Sequence, residues 1–86
     1  MKFFVYILYN KKYDKFYIGQ TDNLRRRIFE HQNRLSVYTS KYNGGWHLVY
    51  QEKYDTRSEA MIQEKFLKNQ KSKKFYKKLC GSKAAG

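Results

Sequence analysis

Phe16-Tyr17-Ile18-Gly19, followed by Asp22-Asn23-Leu24-Arg25-Arg26-Arg27-Ile28-Phe29-Glu30-His31, is the stretch on which the fold turns. The aromatic and β-branched run favours a pleated, half-buried strand, and the glycine ends it. Asp22-Asn23 then offers side-chain oxygens that cap a helix, and a helical pattern runs from residue 22 to about 33. The stretch reads as a strand feeding a helix. At 100° per residue, Leu24 and Ile28 share one apolar stripe, and Arg27 and His31 stand one turn apart beside it. Both are placed to point into a cleft.

Working outward toward the N-terminus, Phe3 to Tyr9 is a continuous apolar run rich in aromatic and β-branched residues. That pattern predicts a strand covered on both faces, over residues 3 to 9 and central in its sheet. Asn10 to Lys15 is polar, with Asn and Asp at turn-favouring positions, so it joins this strand to the 15 to 19 strand as an antiparallel hairpin. The hairpin brings Tyr6 within reach of Tyr17. Taken singly, a strand tyrosine is usually a core aromatic and a helix-flank arginine is usually solvated. Their joint spacing is what points to a site.

Toward the C-terminus, Arg34 to Trp46 is polar and without periodicity, and predicts a loop with at most one helical turn. Within it, Lys41 is suited to phosphate, and Tyr38 and Tyr42 to unpaired bases. Packing of those rings on the core is an equally good reading. His47 to Tyr54 predicts the third strand, with His47 at an edge rather than in a metal site. Thr56-Arg57-Ser58-Glu59 is a capping box and opens a helix from 57 to about 69. Ala60, Glu64 and Leu67 share one side of it, so a carboxylate interrupts a packing face. An ion pair with Lys68, four residues on, would account for Glu64 without any function. From Lys65 onward there are eight lysines and no acid, interleaved with Phe66, Phe75, Tyr76 and Leu79. This predicts a short third helix over 72 to 79 that packs by its aromatics and turns lysines outward, then a disordered end over 81 to 86.

Eighty-six residues make one domain, assigned to 1 to 80, with a small core. The formal net charge of +12 and the 19% aromatic content describe a folded basic domain whose natural partner is a polyanion. Cys80 is the single cysteine, which excludes an intramolecular disulfide and a cysteine-built zinc site and fits a reducing cytoplasm. The apolar run near the N-terminus is too short for a membrane span and lacks a cleavage site, so no membrane partner is expected.

Phe4-Val5-Tyr6, then ten residues, then Tyr17-Ile18-Gly19, with Arg27, His31 and the helical Glu64, resembles the GIY-YIG nuclease domain. The resemblance covers about residues 1 to 80 and is nearest to small stand-alone members. Phe4-Val5 stands where the eponymous residues are Gly-Ile, while the tyrosine is kept. The resemblance implies an α+β fold with a three-stranded antiparallel sheet flanked by helices. It also implies a metal-dependent DNA endonuclease of low sequence preference, in DNA repair or processing. By the same resemblance Glu64 binds Mg²⁺ or Mn²⁺, and Tyr6 and Tyr17 position and deprotonate the attacking water. Tyr6 takes the basic role, its pKa pulled below about 10 by the metal and Arg27. Arg27 clamps the phosphate in the transition state, and His31 relays a proton or orients the nucleophile, its ordinary pKa of about 6.5 serving either role. Gly19 leaves room for the DNA backbone. Arg25, Arg26, Arg34, Lys41, Lys71, Lys73 and Lys74 complete the nucleic-acid surface. Family members often carry an asparagine well after the metal glutamate; Asn69 follows Glu64 by only five residues and is not assigned. No small-molecule cofactor is expected, RNA is a second possible substrate, and the oligomeric state stays open. Two other readings stand beside the enzyme: a non-catalytic DNA- or RNA-binding module and, more weakly, a basic membrane-surface protein.

Overall fold

Alternation along the first strand sets the architecture. In β1 (Phe3–Asn10), Val5 and Ile7 turn to one face of the sheet and Tyr6 and Leu8 to the other, and all four are buried. A strand buried on both faces must be central, and it is: β2 (Lys15–Thr21) and β3 (His47–Tyr54) pair with it antiparallel on either side, in the order β2-β1-β3. The computed structural model describes residues 2–85, and side chains through residue 81. The three expected strands are present, with β2 reaching Thr21, two residues further than its pattern suggested.

Each sheet face has its own cover. Val5, Ile7, Ile18 and Tyr50 pack against Ala60 and Leu67 of α2 (Arg57–Gln70) and Tyr76 and Cys80 of α3 (Lys73–Ala85). Tyr6 and Leu8 pack on the opposite face with Trp46, and Leu24 and Ile28 of α1 (Leu24–Gln32) close over them. The capping readings hold at atomic detail. The Asn23 side chain accepts from the Arg26 amide at 3.1 Å, and Thr56 Oγ1 accepts from the Glu59 amide at 3.2 Å. α1 therefore begins at Leu24 rather than residue 22, because Asn23 is the cap and cannot also be helical.

The 34–46 segment is a loop with one 3₁₀ turn, Thr39–Lys41, as expected. The fully buried Asn10 anchors it, donating from Nδ2 to the Asn43 carbonyl at 3.0 Å while its Oδ1 accepts from the Tyr13 amide at 3.1 Å. The hairpin turn and the loop are thus tied through one side chain. One expectation fails at the C-terminus. α3 continues to Ala85, so residues 81–85 extend the helix instead of forming a disordered end, and Gly86 lies outside the described residues. Gly81, a residue type that often closes a helix, is taken into α3.

Candidate active site

The hairpin register places the tyrosines. Tyr6 faces Gly19 and Leu8 faces Tyr17, so Tyr6 and Tyr17 are diagonal neighbours on one face, their ring centroids 6.3 Å apart. Gly19 owes its identity to this packing. A Cβ there would lie 2.5 Å from the Tyr6 hydroxyl oxygen, so only glycine lets the phenol cross β2. Gly19 is itself buried, which corrects its expected place at the DNA backbone.

The phenol that crosses Gly19 reaches His31. Tyr6 Oη lies 2.9 Å from His31 Nε2, and His31 Nδ1 lies 2.8 Å from Thr39 Oγ1, with both rings 1% exposed. Each ring nitrogen of His31 thus faces a hydroxyl able to donate or accept, and Arg27, which has only donors to offer, acts on the Tyr6 oxygen. Trp46 Nε1 donates to the Thr39 carbonyl at 3.1 Å and fixes the 3₁₀ turn beneath the histidine. Thr39 and Trp46 were not singled out from sequence. The signal available was indirect: a buried histidine needs a partner at each nitrogen, and the polar loop that follows was the place to look.

Burial governs the protonation of both groups in the metal-free protein. The Tyr6 pKa is raised well above its ordinary value by burial and by Tyr17, against a smaller pull from Arg27. His31 is lowered to about 4 by burial and by the Arg27 charge, so it is neutral at neutral pH. The charge that was to lower Tyr6 is outweighed by desolvation of the phenolate.

Arg27 and Glu64 each hold an ion pair. Arg27 Nη1 donates to Glu30 Oε1 at 2.8 Å, a contact that raises the guanidinium pKa further. Glu64, on α2, lies 3.2 Å from Lys68 Nζ with its side chain 21% exposed, and its charge acts on Tyr6. The ion pair foreseen for Glu64 is therefore present beside the tyrosine. Among the described residues no group of three or more His, Cys, Asp or Glu side chains gathers to hold a metal. A single half-buried carboxylate is a hard oxygen donor that suits Mg²⁺ or Mn²⁺, which take most of their ligands from water and phosphate, and does not suit zinc.

The expected nucleic-acid residues divide by position. Arg25, Arg26, Arg34, Lys41, Lys71, Lys73 and Lys74 are all exposed. Lys73 and Lys77 pair with Asp14, while the Tyr9 hydroxyl donates to the same carboxylate and leads in lowering it to about 2. Tyr17, Arg27, Tyr38 and Lys41 line an open hollow of about 460 Å³ in front of the buried pair. A larger hollow of about 610 Å³, walled by Phe16, Tyr50 and Cys80, lies on the opposite sheet face, away from this chemistry. His47 is exposed at the edge of β3.

Tyr6 and Tyr17 thus share one sheet face under a helix that carries Arg27 and His31. The family model described as GIY-YIG catalytic domain matches residues 2–78. The chain belongs to the GIY-YIG family. It is similar to a UPF0213 protein of Staphylococcus saprophyticus, 35% identical over 63 residues that cover 73% of this chain and 76% of that protein. A UPF0213 protein of Limosilactobacillus reuteri is 32% identical over 80% of this chain and 73% of its own length. The solution NMR structure of a UPF0213 protein from Bacillus halodurans superimposes with a TM-score of 0.59 at 29% identity, covering 96% of this chain and 86% of that one. Among the described residues no helix is long and apolar enough to cross a membrane.

Proposed function

We propose that the protein is a divalent-metal-dependent endonuclease that hydrolyses phosphodiesters in DNA with little sequence preference. The observation that carries the reading is the hydrogen-bonded chain from Tyr6 through His31 to Thr39, set beside Arg27. A protein that only binds nucleic acid gains nothing from a buried, proton-conducting chain next to a guanidinium. Tyr6 takes a proton from the attacking water at its oxygen while passing its own to His31 Nε2, and Thr39 holds the imidazole in the tautomer able to accept. Arg27 turns donors toward the non-bridging phosphate oxygens, where negative charge builds up in the transition state. Tyr17 positions the water. Glu64 is the residue that would hold Mg²⁺ or Mn²⁺, which would supply positive charge to the reacting phosphate.

A second reading, a non-catalytic nucleic-acid-binding module, is favoured by the ion pairs that occupy Arg27 and Glu64. Incubating the protein with supercoiled plasmid, flaps, junctions and single strands, with and without Mg²⁺ or Mn²⁺, separates the two. Metal-dependent cleavage of any of these supports the enzyme; binding without cleavage throughout supports the module.

A further inference from the structure

Tyr38 stands between two hollows. On one side is the 460 Å³ hollow lined by Tyr17, Arg27 and Lys41, whose outer wall is Leu35 and Val37, 66% and 82% exposed. On the other is one of about 180 Å³ lined by Lys15, Phe16, Lys71, Lys73 and Tyr76. The Tyr38 ring is 41% exposed and is braced from behind, with Tyr17 at 5.3 Å and Tyr42 at 5.6 Å between centroids. Lys15 Nζ in turn lies 5.3 Å from the Tyr42 ring centre. The 34–46 segment that carries Tyr38 contains no acidic residue.

Lysines alone would suit the phosphates of any nucleic acid, paired or not. A braced aromatic face between two basic hollows suits something narrower. Bases inside a duplex are already stacked on both faces and cannot reach the ring, whereas an unpaired base can, and any base has a π-face to offer. Exposed Leu35 and Val37 are unfavourable in water and favourable against a base or sugar. We infer that Tyr38 is a stacking post for an unpaired nucleotide, with one flanking phosphate at Arg27 and Lys41 and the next at Lys15, Lys71 and Lys73. The preferred substrate class is then a strand with unpaired nucleotides at the cleavage position, an inference that rests on the nuclease reading only for the word cleavage.

The test is binding by the full chain in EDTA, using one oligonucleotide that carries 2-aminopurine, either single-stranded or in duplex with its complement. The wild type should bind the single strand at least about tenfold more tightly than the duplex and quench the aminopurine. Tyr38→Ala should lose about tenfold or more on the single strand and nothing on the duplex, and Tyr38→Phe should keep wild-type affinity. Equal affinity for both forms, no quenching by the wild type, or an equal loss on both forms in Tyr38→Ala would overturn the stacking post. The quenching arm decides even if Tyr38→Ala fails to fold. Because no metal is present, the two readings fail separately. Selective single-strand binding without cleavage of any substrate defeats only the nuclease, and metal-dependent cleavage with a neutral Tyr38 defeats only the post.

Discussion

At the scale of single residues, burial rather than proximity of charge governs the site. His31 gives the clearest case, because its folded pKa of about 4 lies below the ordinary 6.5. The folded state then binds fewer protons than the unfolded chain, so the stability from a neutral His31 is full above about pH 6.5. It is lost as pH falls from about 6.5 toward 4, and amounts to about 2 kcal/mol between pH 7 and 5. Asp14 adds nothing in that window, since its contribution is present above 3.8 and is lost only as pH falls to about 2. Urea midpoints at pH 7 and 5 should therefore differ in the wild type and converge in His31→Phe; the same slope in the variant would move the effect elsewhere. Arg27→Lys keeps the charge but loses the planar set of donors, so cleavage should fall by about 10²-fold or more with binding largely kept. Comparable losses in both would make Arg27 a ground-state phosphate contact. Tyr6, Tyr17, Arg27 and His31 were legible as a group because spacing alone brings them together. The protonation of Tyr6 and His31 and the purpose of Gly19 were not, because they depend on which atoms surround each group.

At the scale of elements, caps and turns were legible and the loop was not. Thr56 and Asn23 are short-range signals, each satisfied by an amide three residues on. Thr39 meets His31 only through the path of the 34–46 loop, which is held by Asn10 from a different part of the chain. No local pattern encodes such a contact. Lys71 shows function and stability pulling apart within one element. It ends α2 in the left-handed conformation, φ 47°, where a side chain costs about 1 kcal/mol relative to glycine. Lys71→Gly should thus raise the melting temperature by a few degrees while weakening DNA binding. A lower melting temperature would show that the lysine side chain contributes packing that outweighs the backbone strain.

At the scale of the whole molecule, the charge of +12 on 86 residues favours a polyanionic partner. Affinity for DNA should fall steeply between about 50 and 200 mM salt, as counterions released from phosphate are paid back. A nearly constant affinity over that range would contradict the phosphate-contact surface. Against this positive background, the half-buried Glu64 near Tyr6 is the residue out of place, since it repels the phosphate that the rest of the surface attracts. Its pair with Lys68, partly exposed, is worth under about 1 kcal/mol, too little to explain a carboxylate there by stability alone. The most direct measurement is Mg²⁺-dependent nicking of supercoiled plasmid by the wild type and Glu64→Ala, with DNA affinity in Ca²⁺ and melting temperature taken on the same preparations. The account predicts nicking by the wild type, its abolition in the variant, unchanged or higher DNA affinity and a fold that survives. Nicking that persists undiminished in Glu64→Ala would contradict it.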